Sequence, residues 1–358
     1  MIGPHERDDI VGERYQIEEF VGQGGMQFVY AAYDKTLNNI VALKTPKNLS
    51  AEKRFHRSAV VSAKVNHPNV AKTLDYFEVG DRAYLVEELV IGGDLSKTLL
   101  KEAVYLDPFL VARIFHYLAK GLAASHHANV IHRDLKPTNI MIVDGFQLSG
   151  VKITDFGIAK MAAEELTEAV IGGEDTITLS ATALGALPYM SPEAIDTPKD
   201  VGIETDIWSL GAMMYELLTG TKPFGSGLKV VKRILDADYD DFPEFVTANP
   251  QFSHLSTKIV ELIKKCLSLD PKDRPTADEL VTECGLLCYP VRERYFGTMR
   301  TPNNSKWGFV DPSDNTANIF YHVDCIYGER PQAGEKVMLS KYEGNGAYRA
   351  LPLVRMKQ

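Results

Sequence analysis

Between residues 15 and 46 apolar and polar positions alternate with the two-residue period of half-buried strands, and the break "GQGGMQ" separates two of them. The period then lengthens. Asp107–Pro108 reads as an N-cap followed by a proline at the first helical position. Behind it Leu110, Ile114, Leu118 and Leu122 recur at four-residue spacing, which predicts a helix that buries one face. "DIWSLGAMMYELLTG", ending at Gly220, is apolar nearly all round, the pattern of a central buried helix closed by a glycine. After "TECGLLCYP" the period shortens again. "RYFGTMR", "KWGFVDP", "NIFYHVDCIYG", "GEKVMLSKYE" and "YRALPLVRM" read as five short strands between turn signals, which predicts a small closed barrel.

Composition leaves this α+β picture in place and bounds it. The 358 residues suit one large and one small domain, placed here at residues 13–287 and 293–358. No apolar run approaches the roughly 18 residues of a membrane span, and "MIGPHERDDIVGERY" has no apolar signal core, so a cytoplasmic protein without membrane contact is expected. Cys266, Cys284, Cys288 and Cys325 form no C-x-x-C pair and read as reduced thiols. The net charge of −9 is uneven: from Val291 onward ten Lys and Arg face seven Asp and Glu. A tail more basic than its acidic body hints at an anionic partner there.

Glycines at a hairpin tip let backbone N–H groups approach a phosphate with no Cβ in the way. The turn "GQGGMQ" is followed by "VALK", which places Lys44 on the next strand, then by "VIHRDLKPTNIMI" at 130–142 and "VKITDFGIAK" at 151–160. This order and spacing resemble the eukaryotic-type protein kinase family, in its Ser/Thr branch as found in bacteria, over about residues 13–287. The resemblance implies a bilobal fold, ATP and Mg²⁺ as cofactors, and protein substrates with Ser/Thr acceptors. It implies Asp134 as acceptor of the substrate hydroxyl proton, Lys136 at the γ-phosphate, Lys44 at the α- and β-phosphates, and Asn139 and Asp155 as ligands of Mg²⁺. Gly22, Gly24, Gly25, Val29 and Ala42 would line the nucleotide. In "VEELVIGGD", Glu87 would lie at the back of the pocket, Glu88 and Val90 at the adenine edge and Asp94 near the ribose. Asp206 would anchor the catalytic loop, and Glu193 with Arg274 would form a buried ion pair. His132 reads as a core-packing histidine.

Four positions depart from the kinase pattern. Gln27 stands at the third glycine of the phosphate loop, Ser58 at the helix glutamate that should pair with Lys44, Glu87 at an apolar position before the hinge, and Ala186 at a threonine. A carboxylate buried at the back of the pocket needs a cation, so Glu87 is expected to replace the missing glutamate and pair with Lys44, directly or through Ser58. The alternatives are that Glu87 points outward or that the site has decayed into a pseudokinase-like scaffold. Retention of Lys44, Asp134, Asn139 and Asp155 favours the active enzyme. Between Asp155 and Glu193, the segment "IGGEDTITLSATA" offers Thr176, Thr178, Ser180 and Thr182 as phosphorylation sites, or is an ordinary solvated loop. "DADYDDFPEF" at 236–245 reads as a solvated acidic loop.

In the tail, alternation puts Trp307 and Phe309 on one face of one strand, and Phe320 and His322 on one face of the next. "KWGFV" and "IFYHV" resemble the two nucleic-acid-binding motifs of the cold-shock domain, a five-stranded OB barrel, and imply single-stranded RNA or DNA as ligand, with those four rings stacking on bases. Two other readings stay open: the rings are core, or they dock on the large domain. The strand "GTMRTP" departs from that family, with Thr301 and Pro302 where aromatics are usual. The join Gly285–Glu293 is short and carries Leu286, Leu287, Tyr289 and Pro290, unlike a flexible tether, so the barrel is expected to pack on the large lobe.

Overall fold

A computed structural model of the chain describes residues 3–23, 27–47, 52–156, 181–198, 201–302, 304–314 and 316–357; of residues 52–54, 57–58 and 181–183 the backbone alone is described. Six antiparallel strands form the first layer: β1 (Ile10–Val11), β2 (Tyr15–Gln23), β3 (Gln27–Asp34), β4 (Asn39–Pro46), β5 (Thr73–Val79) and β6 (Arg82–Glu88), in the order β1-β2-β3-β4-β6-β5. Strand alternation sorts their side chains to two faces. Tyr15, Ile17, Tyr30, Val41, Leu43, Tyr84 and Val86 pack together on one, while Ala83 and Leu85 meet Phe55 and Ala59 of helix α1 (Glu52–Ser62) on the other.

The second lobe is helical. In α2 (Pro108–His127) Asp107 caps the first turn, accepting from the N–H groups of Phe109 and Leu110, and the stripe Leu110, Ile114, Leu118 and Leu122 is buried. Helix α3 (Glu204–Thr219) runs through the centre with almost every side chain buried and ends at Gly220 in the left-handed region, φ 82°. Helix α4 (Ser253–Cys266) packs on it, and α5 (Ala277–Gly285), opened by a capping box between Thr276 and Glu279, packs on α2. A hairpin of β7 (Ile140–Val143) and β8 (Gly150–Ile153) lies at the top of this lobe.

The tail closes a five-stranded β-barrel. β9 (Tyr295–Met299), β10 (Trp307–Pro312) and β11 (Ile319–His322) form a meander, β13 (Lys336–Tyr342) pairs with β9, and β14 (Tyr348–Arg355) pairs antiparallel with β13 and parallel with β11. The two-residue β12 (Ile326–Tyr327) adds to β14. Strand β9 ends at Met299, so Thr301 and Pro302 lie outside the strand in which the sequence reading placed them.

Strands β13 and β14 use both faces. Val337, Leu339 and Leu353 fill the barrel, while Met338, Val354 and Met356 join Tyr327 in the core of the helical lobe. Double burial is why these strands read as nearly unbroken apolar runs. Tyr327 sits between Tyr105, Phe245 and Phe252 with edge-on ring contacts of 5.4–5.7 Å, and its hydroxyl donates to the Leu218 carbonyl at 2.9 Å. Gly328 is required beside it: at φ 84°, a Cβ there would lie 2.0 Å from the Tyr105 ring. Arg294 donates to Asp107 at 3.0 Å, and the Gln147 carboxamide pairs with both backbone groups of Arg294 at 2.7 and 2.8 Å. The segment 236–245 is only partly the solvated loop expected. Asp238 and Asp240 are exposed and pair with Arg233, whereas Phe245 enters the barrel contact.

Candidate functional site

Register builds the upper half of the cleft between the first sheet and the helical lobe. Val29 lies opposite Lys44, and Ala42 opposite Glu87, so one face of the sheet carries all four side chains. Gly22 pairs with Val29, and a Cβ there would meet no atom within 4 Å, which leaves the strand open toward the cleft. Lys44 is buried, with Nζ 2.5 Å from Glu87 Oε2 and 2.7 Å from Asp155 Oδ1. Burial disfavours its ammonium, but Asp155 and Glu87 outweigh that and hold the pKa above its ordinary value. Burial pushes the Glu87 carboxyl up against the pull of Lys44, and the Asp155 carboxyl, also buried, is held low chiefly by Lys44. Glu87 therefore points inward, not outward. The Ser58 side chain falls outside the described atoms, so only the direct pairing is on view.

Asp206 builds the lower half. Its buried carboxylate accepts from the backbone N–H groups of His132 at 2.9 Å and Arg133 at 2.8 Å, and from His126 Nε2 at 3.0 Å. These bonds hold Arg133 at φ 66°, a conformation that costs a non-glycine residue roughly 1–3 kcal/mol. His132 is buried, donates to the Thr154 carbonyl at 2.8 Å and packs on Phe156, a structural role. The turn so fixed presents Asp134, whose carboxylate receives Lys136 Nζ at 2.8 and 2.9 Å and Asn139 Nδ2 at 3.1 Å. Ala186 is buried and brings no hydroxyl to this group.

Other expected residues are placed less centrally. Val90 is buried at the hinge. Glu88 turns its side chain to Lys152 at 2.9 Å. Asp94 spends its carboxylate on the turn that follows, accepting from Lys97 N at 2.9 Å. Gly24, Gly25, Thr176, Thr178 and Ser180 lie outside the described residues, and Thr182 is described by its helical backbone alone. Arg274 and Glu193 form a two-bonded pair at 2.6 and 2.9 Å. The sequence reading did not give Gln27 a role, although its Nε2 donates to Asp155 Oδ1 at 3.0 Å. The only signal was a polar residue in place of a glycine.

The cleft suits a divalent cation. Lys44, Glu87 and Asp155 together carry an excess of one negative charge in a buried place. Asn139, its N–H groups spent on Asp134, has an amide oxygen that accepts only a long bond from Thr138 Oγ1 at 3.5 Å, so the available donors are the hard oxygens that Mg²⁺ takes.

On the barrel, Trp307 lies opposite His322 and Phe309 opposite Phe320, and all four are half-buried on the outer face, while Gly308, Val310, Ile319 and Tyr321 point inward. The Trp307, Phe309 and Phe320 rings stand 5.9–6.0 Å apart, with the Arg349 guanidinium 6.0 Å above Phe320. Among the described residues, no hydrogen bond, ion pair or ring contact joining barrel to helical lobe uses these rings.

The protein kinase domain family matches residues 15–284. A probable serine/threonine-protein kinase of Clostridium perfringens is 35% identical over 282 residues, covering 76% of this chain and 38% of its own. A serine/threonine-protein kinase of Myxococcus xanthus is 33% identical over 285 residues, 76% of this chain and 50% of its own. Yeast Aurora kinase is 30% identical over 265 residues, 73% of this chain and 65% of its own. The chain spans half or less of the length of the two bacterial relatives.

Proposed function

The chain belongs to the protein kinase domain family, and on that premise we propose that it is an active Mg-ATP-dependent serine/threonine kinase whose barrel binds single-stranded nucleic acid. The observation that carries the first half is the Asp134–Lys136–Asn139 network, set on the Asp206-held turn and facing Lys44 and Asp155 across one cleft. Asp134 takes the proton of the acceptor hydroxyl. Lys136, already on that carboxylate, is placed to follow the charge that moves to the transferred phosphoryl group. Lys44 holds the α- and β-phosphates, and Glu87 keeps its ammonium in place where the family uses a helix glutamate. Gly22, Val29, Ala42 and Val90 line the nucleotide, with Glu88 and Asp94 at its edge. Bound at Asp155 and Asn139, Mg²⁺ would neutralise phosphate charge.

The second half rests on the ring cluster, the basic tail and the barrel's strand order, in which the last strand closes in parallel on the third, as in OB and cold-shock barrels. Phosphate transfer from labelled ATP to a basic protein substrate tests the enzyme. Lys136→Ala should lower kcat about a hundredfold with little change in KM for ATP; unchanged kcat would contradict the role.

A further inference from the structure

Position 27 is where the family carries a glycine, and here it carries a side chain long enough to reach the metal ligands. Gln27 lies on β3 opposite Pro46, two residues from the Val29–Lys44 pair, so strand alternation aims it at the face that carries Lys44. It is only 5% exposed. Its Nε2 donates to Asp155 Oδ1 at 3.0 Å, the oxygen that also receives Lys44 Nζ at 2.7 Å. A carboxylate only accepts, so the amide must turn its N–H toward Asp155 and its oxygen away. That oxygen, Oε1, is buried and has no hydrogen-bond partner among the described residues. A buried acceptor left unpaired is costly, so its natural partner is a donor that arrives with a ligand. Two carboxylates, Glu87 and Asp155, converge on the one ammonium of Lys44 beside it, a setting in which a cation is favoured.

We propose that Gln27 is a metal-positioning residue: its amide N–H fixes the Asp155 carboxylate, and its Oε1 accepts from the water shell of the divalent cation that Asp155 and Asn139 would hold. This rests on the nucleotide-site reading above and deepens it. Mg²⁺ gives up water reluctantly and is commonly held through one or two carboxylates and several retained waters, so an outer oxygen acceptor suits it. The arrangement is the outer-shell support that keeps a metal ligand oriented. A glycine at position 27 offers neither group.

The test is binding of a fluorescent N-methylanthraniloyl ADP, titrated with magnesium chloride and repeated in EDTA, on the full chain. Gln27→Met keeps the length and removes both polar groups; Gln27→Gly restores the family residue; Gln27→Glu keeps acceptor oxygens. Gln27→Met and Gln27→Gly should need about tenfold more Mg²⁺ for half-maximal effect, with binding in EDTA unchanged, and Gln27→Glu, which keeps the acceptor but not the N–H that fixes Asp155, should recover only part of the lost Mg²⁺ response. Equal or lower Mg²⁺ requirement in Gln27→Met would overturn the proposal, and so would a loss confined to EDTA conditions. Wild-type protein that binds no nucleotide would overturn it together with the reading beneath it. Gln27-dependent Mg²⁺ binding in a protein that transfers no phosphate would support this inference and sink the kinase reading alone.

Discussion

Lys44 has two carboxylate partners in this chain, and the two are not equivalent. If Asp155 turns to the proposed Mg²⁺, the neighbour left to orient the lysine when nucleotide binds is Glu87, 2.5 Å away. Removing one member of a buried charged group leaves the others under-compensated, at a cost of a few kcal/mol. Glu87→Gln and Glu87→Met should therefore each lower kcat/KM for ATP at least tenfold, about 1.4 kcal/mol; steady-state kinetics equal to wild type in both would remove Glu87 from the account. This pairing was legible once the family resemblance put Glu87 at the back of the pocket, because an acid at an interior position demands a cation. The bond from Gln27 to Asp155 was not, since it crosses 128 residues of sequence and no periodicity reports it.

Elements were read well where one physical cause dominates. The four-residue stripe behind Asp107 and the all-round apolar run before Gly220 both became helices with the expected caps. Strand ends were harder: nothing in "GTMRTP" marks Met299 as the last paired residue, because pairing depends on the partner strands. The turn held by Asp206 gives an element-scale prediction. Burial acts to raise the Asp206 carboxyl, but His126 and the loop N–H groups reverse that and hold it below the ordinary carboxylate range. Its contribution to stability is therefore complete above about pH 4 and is lost as pH falls below that. Asp206→Asn should flatten the acid limb of a pH–stability curve, and an unchanged limb would refute the assignment. On β10 and β11 the outward rings predict that Trp307→Ala and Phe320→Ala each weaken single-stranded RNA binding by about 1–3 kcal/mol without unfolding the barrel. Anisotropy titrations that match wild type would leave the rings without that role.

At the scale of the molecule, the barrel shares a core with the helical lobe, and the short apolar join foreshadowed this. Which surfaces meet was not legible: Asp107 reads as a plain N-cap until Arg294, 187 residues later, is seen on the same carboxylate. That pair predicts coupled unfolding. Arg294→Ala strands a buried Asp107 and should lower stability by about 3 kcal/mol in denaturant melts, a loss that an exposed surface pair would not show. The central claim, an active kinase built on this cleft, is tested most directly by incorporation of labelled γ-phosphate from Mg-ATP by wild type and by Asp134→Asn, each with and without single-stranded RNA. The account predicts transfer to Ser or Thr by wild type, its loss in Asp134→Asn, and a change in rate with RNA. A folded, nucleotide-binding wild type that transfers nothing under any of these conditions would contradict it.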